Sequence, residues 1–443
     1  MIDISPEMMT ILMFGGLLIG LFMGHPLAFV LGGLAVIFGL IGWGPSMFYM
    51  FMNRIWGTMD NYVLLAIPLF VFMAQLLDQS GVADDLFKAL RYVLGQVRGG
   101  ILLSVIVVST IFAACTGIIG ASVVTMGLLA VPMMRKYGYD KQMSYGSICA
   151  GGTLGILIPP SIMLVVMASE ATLSVGKLFA AAVLPGLILA FLYLLYVGIR
   201  CFFKPELGPP ISREERAGVT TAQIAMMVLK SLVPPMILIL GVLGSLFFGI
   251  ATPTEASGVG AFLAFVMVLA YRKFTWRGLY RAVIQTAKIN TMVIIILCGA
   301  TCFTGVFLGV GGGDVVTDFV MGLGLGKWGT FWVMMAIVFI LGMFIDWIGI
   351  VLICFPIFLP IAKQLGFDTL WFVVMIAVNL QSSFLTPPFG YALFYIKGID
   401  PDRIDIKDVY RGIIPFVALM LIGLIICALL PQVIMWLPEV LID

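Results

Sequence analysis

Charge is scarce in this chain. Of 443 residues, 24 are Lys or Arg and 22 are Asp or Glu, about 10% together, where a soluble domain carries roughly 25%. So few charges cannot cover the surface of a water-soluble fold. Nor is there a basic patch to track a phosphate backbone, which excludes a nucleic-acid partner. Histidine is limited to His25, beside Pro26, and reads as a helix-end or loop residue rather than a metal ligand. Cysteine is sparse as well. Six of the seven (Cys115, Cys149, Cys298, Cys302, Cys354, Cys427) fall inside apolar runs, with neither ligand spacing nor a disulfide framework. No basic leader or cleavage pattern opens the chain, so its first apolar run reads as a span rather than a signal peptide.

What is present is apolar: 62% of residues are hydrophobic and the mean hydropathy is +1.16. These values describe a polytopic membrane protein, embedded in lipid. A bilayer tolerates only structures that pair every backbone group, helices or closed barrels. The apolar runs are about 20 residues long, the length of a helical span, and show no strand-like alternation. Spans are expected at about 8–24, 26–42, 60–77, 142–168, 178–199, 231–250, 255–271, 289–310, 370–396 and 412–433. Two stretches differ, about 100–134 and 329–361. Each is too short for two spans and a turn and has a Gly-rich or polar middle, so each is read as a re-entrant hairpin.

Basic residues then orient the spans. With Lys88, Arg91 and Arg98 placed in the cytoplasm, 20 of the 24 Lys and Arg fall inside; only Arg54, Lys177, Lys327 and Lys363 fall outside. Both termini are then expected outside. The segment 200–230 is the one long polar stretch and reads as a cytoplasmic linker.

A repeat crosses that linker. Pro132 matches Pro360, Gly138 matches Gly366, Asp140 matches Asp368, and Pro159-Pro160 matches Pro387-Pro388, all at an offset of 228. The charge count runs the first copy outward and the second inward, so the halves are inverted. Inverted repeats with broken helices are the architecture of secondary transporters. Proline lacks an N–H and clashes with the preceding turn, so each Pro-Pro pair interrupts its span. Unwinding frees carbonyls for a cation and aims half-helix N-termini at an anion.

The hairpin tips are polar. The first reads Ala114-Cys115-Thr116-Gly117, then Gly120-Ala121-Ser122; the second spans Gly342–Gly349 and contains Asp346. A carboxylate at membrane depth marks a functional site, and a small hard cation, sodium or a proton, is its natural partner. Thr116, Ser122 and the carbonyls of Gly152 and Gly155 are expected to hold one ion. Asp346, Asn379, Ser383 and Thr386 are expected to hold another. The substrate is expected near the helix ends at Pro160, Ser161, Pro388 and Phe389. Glu255 reads as a first-turn residue capped by Thr252 or Thr254, and Asp314 and Asp318 fall in an outer loop. An enzyme would need a clustered acid, base or metal set, and no such motif is present.

These pieces carry a family likeness. DNYVLLAIPLFVFMA at 60–74, CTGIIGASVVTMG at 115–127, GGTLGILIPPSIMLVV at 151–166, ATPTEASGVGA at 251–261, LGMFIDWIG at 341–349 and NLQSSFLTPPFG at 379–390 together resemble the large membrane subunit of tripartite ATP-independent periplasmic (TRAP) transporters, the DctM-like family. The resemblance spans essentially the whole chain. It implies an all-α, elevator-type, ion-transporter-like fold in a bacterial inner membrane, with no organic cofactor and Na+ as coupling ion. It implies organic-acid substrates, a separate small four-helix membrane subunit and a soluble periplasmic substrate-binding protein. A single-component sodium/dicarboxylate symporter is the nearest rival. The expected organisation is N-terminal scaffold helices at 1–59 and a first repeat at 60–199. The linker at 200–230 follows, then scaffold helices with a connecting arm at 231–288 and a second repeat at 289–443.

Overall fold

The computed structural model describes residues 4–117, 119–211, 220–388 and 390–442, with the side chain of Thr221 also left aside. All regular elements among them are helical. The first half contains α1 (Pro6–Phe22), α2 (Leu27–Trp43), α3 (Met47–Met59), α4 (Ala66–Ser80), α5 (Val82–Leu94), α6 (Gly100–Thr116), α7 (Ile119–Lys136), α8 (Lys141–Thr153), α9 (Ile162–Glu170) and α10 (Val175–Phe203). The second contains α11 (Thr221–Phe247), α12 (Pro253–Ala270), α13 (Trp276–Gly309), α14 (Gly312–Gly322), α15 (Gly326–Gly342), α16 (Trp347–Gln364), α17 (Thr369–Ser383), α18 (Tyr391–Ile399), α19 (Ile406–Leu429) and α20 (Gln432–Leu441). Among the described residues, nine helices are long and apolar enough to cross a membrane, and the chain is a multi-pass membrane protein.

The offset of 228 extends through the elements. Adding it to the bounds of α7 (119 and 136) gives those of α16 (347 and 364). Helix α2 maps onto α12, α5 onto α14, α6 onto α15, α8 onto α17 and α9 onto α18, each within a few residues. Helices α3 and α4 together map onto the single long α13.

The matched residues have matching jobs. Gly138 closes α7 at φ 70°, and Gly366 closes α16 at φ 70°, a left-handed conformation that glycine adopts without Cβ strain. Each is followed by the same 6→1 bond, Tyr139 N–H to Met134 O and Phe367 N–H to Ala362 O, both 2.9 Å. Asp140 then caps α8 through the Met143 N–H at 2.8 Å, and Asp368 caps α17 through the Trp371 N–H at 2.9 Å. Both Pro-Pro peptide bonds are cis. A short hairpin followed at once by a broken helix is therefore built twice from one local code.

Packing is close where the halves meet. A Cβ on Gly146 of α8 would lie 2.2 Å from Gly412 O of α19, and one on Gly412 would lie 2.1 Å from Gln142 O. Small residues let these backbones touch, as membrane helices require in the absence of a hydrophobic driving force. The second hairpin is anchored by aromatic rings. Trp328, Phe331, Phe367 and Trp371 lie 5.2–6.2 Å apart, and Lys327 Nζ sits 4.4 Å over the Phe367 ring.

Some elements depart from expectation. Helix α10 runs to Phe203, a 3₁₀ turn covers Pro205–Leu207 and the next described α-helix starts at Thr221, so the polar stretch outside the α-helices is narrower than 200–230. Its first part is docked: Gly99 N–H donates to Gly208 O and Ile211 N–H to Gly95 O, both at 2.8 Å. Asp314 and Asp318 lie on helix α14 rather than in a loop. Thr252 and Glu255 form a reciprocal capping box, which accounts for Glu255 structurally.

Candidate functional site

The first hairpin tip is a left-handed turn. Helix α6 ends at Thr116, and Gly117 at φ 61° redirects the chain. Across the turn, the Thr116 and Ser122 hydroxyls are 3.0 Å apart and buried, and Thr116 also donates to Phe112 O at 3.1 Å. The tip rests on the first break: a Cβ on Gly117 would lie 3.0 Å from Pro160 O and 3.5 Å from the Ile162 nitrogen. Gly152 packs on Val123 just beyond the tip. The break itself is a 3₁₀ turn at Leu154–Ile156 that contains Gly155. Ser161 restarts the helix, accepting from the Leu164 N–H at 3.4 Å and donating to Ile156 O.

The second hairpin and break repeat this plan with other side chains. Asp346 is the N-cap residue of α16 but closes no capping bond; its carboxylate lies beside the Trp347 and Ile348 N–H groups. Asn379 Nδ2 donates to Met335 O at 2.7 Å, which ties α17 to the first arm of the hairpin. Thr386 Oγ1 donates to Ser382 O at 2.6 Å. The Ser383 hydroxyl and both amide atoms of Gln381 are buried and unpartnered. Ser383 lies against Gly342, where a Cβ would approach its Oγ to 2.1 Å. An unpartnered buried hydroxyl is costly unless a water or ion completes it.

Both tips and both breaks border one cavity of about 550 Å³. The N-terminal residues of five helices line it: Leu27 of α2, Gly120 of α7, Ile162 of α9, Trp347 of α16 and Tyr391 of α18. Each helix start carries a partial positive charge, so five such ends converge. The opposite wall is formed by α2 and by α13 from Ile289 to Ile296. That wall follows Lys288, and Tyr395 precedes Lys397, which sets the cavity toward the basic end of the molecule.

Of the residues expected at the site, Asp346 lines this cavity. Thr116 and Ser122 are brought together behind the first tip. Ser383, Asn379 and Thr386 group around the second break, with Asn379 and Thr386 already bonded to backbone carbonyls. Gly152, Gly155, Pro160 and Ser161 build the first break, and Pro388 belongs to the second. Phe389 lies outside the described residues. Sequence reasoning missed Tyr391, Tyr395 and the α2–α13 wall. The two tyrosines stand four apart immediately after a break, a spacing that puts both on one helix face.

Comparison with known proteins places this geometry. Residues 14–433 match the family described as "Tripartite ATP-independent periplasmic transporter, DctM component". A C4-dicarboxylate TRAP transporter large permease protein of Pseudomonas aeruginosa is 32% identical over 389 residues, covering 87% of this chain and 88% of the relative. An isethionate TRAP transporter permease protein of Oleidesulfovibrio alaskensis is 29% identical over 95% of this chain and 65% of its own, longer sequence. Among solved structures, the Alcanivorax borkumensis YdaH transporter superposes with a TM-score of 0.65 at 13% identity, covering 97% of this chain and 98% of that one, a likeness of fold. These relatives are transporter components rather than enzymes.

Proposed function

We propose that this chain, which belongs to the DctM component family of tripartite ATP-independent periplasmic transporters, is the large transport subunit of a sodium-coupled importer of organic acids. The observation that carries the reading is the convergence of five helix starts on one cavity beside Asp346. Helix starts attract an anion without a buried arginine. Asp346, the Thr116–Ser122 pair and the open Ser383 hydroxyl offer oxygen ligands of the kind a hard cation takes. Carbonyls at Gly152 and Gly155, with Asn379 and Thr386, complete the two expected ion sites. Sodium bound first would order both tips and so build the seat for the carboxylate between Pro160–Ser161 and Pro388.

The movement proposed is an elevator. Helices α6–α10 and α15–α20 form the moving body, and α1–α5 with α11–α14 form the scaffold. Isolated side-chain hydrogen bonds join the two, among them Thr125 to Asp78 at 2.7 Å, Thr304 to Leu352 O at 2.9 Å and Asn61 to Ser169 at 2.7 Å. Such contacts can break and re-form as one body slides past the other. The cavity at the basic end is the cytoplasmic release state. A small membrane subunit and a periplasmic binding protein complete the importer in the bacterial inner membrane.

The test is uptake in proteoliposomes under an imposed sodium gradient, with and without the two partner proteins. Uptake should require all three proteins and sodium. Asp346→Asn at matched abundance should raise the half-saturating sodium concentration. Equal uptake by the chain alone would make it a single-component symporter, and an unchanged sodium dependence would remove Asp346 from the ion site.

A further inference from the structure

We infer that a second cavity, apart from the central one, seats the headgroup of a zwitterionic aminophospholipid of the phosphatidylethanolamine class. It has a volume of about 470 Å³ and lies between α5, α11 and the end of α12, where Arg272 and Lys273 follow Tyr271. The inference does not depend on what the protein transports. Helix α5 buries Val82, Leu86 and Phe87 and leaves Asp85 and Lys88 exposed. Three residues apart, these two share one helix face. Lys230 and Ser231 of α11 and Tyr271, the C-cap of α12, complete the polar lining. Among the described residues the one ion pair is Arg135–Asp400, so Asp85, Lys88 and Lys230 border the cavity with their charges uncommitted.

The lining holds donors and acceptors for two opposite charges. Lys88 and Lys230 supply only N–H donors. The Tyr271 hydroxyl already donates to Lys230 O at 3.1 Å and the Ser231 hydroxyl to Met227 O at 2.7 Å, so each offers the cavity an oxygen that accepts. Asp85 accepts as well. A ligand that satisfies both sets carries an anion and an N–H cation in one small group. Phosphoethanolamine does so: its phosphate takes the lysines, and its ammonium takes Asp85 and the two hydroxyl oxygens. A choline headgroup has no N–H to give, and a glycerol headgroup brings no cation to Asp85. The acyl chains have a place too. Met227, Pro234 and Ala270 form the apolar floor, and α11 and α12 are apolar enough to cross a bilayer. The two helices touch where a Cβ on Gly241 would lie 2.7 Å from Leu263 Cδ1. Between the floor and that contact, Ile237, Leu240, Phe262 and Val266 are exposed. A soluble phosphate would leave this surface unused, whereas basic pockets between membrane helices hold lipid headgroups.

The experiment measures lipid binding to the purified full-length chain, delipidated in detergent, by native mass spectrometry and by thermal shift. The probes are phosphatidylethanolamine, phosphatidylglycerol and phosphatidylcholine with identical dioleoyl chains, and glycerophosphoethanolamine and inorganic phosphate, which lack chains. Phosphatidylethanolamine should bind about fivefold more tightly than the other two lipids and raise the melting temperature most. A lysine near a lipid surface contributes about fivefold, so Lys88→Gln with Lys230→Gln should weaken its binding about 25-fold. Lys407→Gln, exposed and outside the cavity, should leave it unchanged. Asp85→Asn should weaken phosphatidylethanolamine about threefold and not phosphatidylglycerol. Ala270→Trp fills the floor without altering charge and should also abolish binding, which keeps the test decisive if the lysine variant fails to fold. Equal binding of the three lipids, or phosphatidylglycerol bound more tightly than phosphatidylethanolamine, overturns the inference. So does full phosphatidylethanolamine binding by the Ala270→Trp chain, or a loss in Lys407→Gln as large as in the double variant. Stabilisation by glycerophosphoethanolamine or phosphate equal to that by the whole lipid also overturns it and makes the cavity a soluble-phosphate site.

Discussion

Replacing Gly117 by alanine tests whether the first hairpin tip must seat on the first break for sodium to bind. Gly117 has φ 61°, where an L side chain costs about 1–2 kcal/mol. The added Cβ would also meet Pro160 O at 3.0 Å and Ser161 Cα at 3.5 Å, so the tip has to withdraw from the break. If that penalty falls on the seated tip, the half-saturating sodium concentration rises about five- to thirtyfold. Gly138→Ala is the control. Its φ is 70° and nothing lies within 4 Å of the added Cβ, so it carries the backbone penalty without the contact. Both variants should melt at lower temperature than the parent in a thermal-shift assay. Only Gly117→Ala should shift the sodium dependence of uptake. Identical sodium curves for the two variants would refute the link between tip seating and ion binding.

Two further expectations are independent of the ion site. A cysteine at Glu206, in a background without native cysteines, should react with membrane-permeant thiol reagents and resist impermeant ones in intact cells; Glu206 is exposed, whereas Gly208 backs onto Gly99. Arg135 Nη1 and Asp400 Oδ2 are 2.5 Å apart, and the guanidinium holds the Asp400 carboxyl below the usual carboxylate range. A lowered folded-state pKa means the pair stabilises above the unfolded pKa of Asp and fades as pH falls through the folded value. Asp400→Asn should therefore lower the melting temperature slightly at neutral pH, leave it unchanged at low pH and so flatten the acid limb, the effect being small because the pair is partly exposed.

The spans and breaks were legible because length, hydropathy and Pro-Pro pairs are local properties. Both hairpins fall within a few residues of the positions read from the sequence. Helix α3 was hidden because its faces are both rich in large side chains, with Met47 and Phe51 buried and Phe48, Tyr49 and Trp56 exposed. Helix α13 starts 13 residues before the expected span at 289, since its first turns carry Arg277, Arg281 and Lys288 and dilute the apolar signal. Asp346 stood out through its setting alone. The tyrosines and the α2–α13 wall did not, because a cavity assembled from Pro26 to Tyr395 is a property of the packing. The bond from Asn379 Nδ2 to Met335 O, which orients the side chain, was invisible without the neighbouring arm.

The paired turns at Gly138–Asp140 and Gly366–Asp368 leave the two faces of the molecule with nearly the same backbone. A bilayer-inserting machinery could not tell one copy from the other by hydrophobic length or helix-breaking pattern. The distinction must be written in side-chain charge. Lys88, Arg91, Lys136 and Lys141 of the first copy stand opposite Val316, Phe319, Gln364 and Thr369 of the second. Arg135 and Lys363 are the exception, basic in both. The second copy carries its basic cluster elsewhere, at Lys397, Arg403, Lys407 and Arg411 after its broken helix, so each half carries a bias that can choose its own orientation. The linker between them need only stay on one side, docked at Gly95 and Gly99, for the inverted partner to follow.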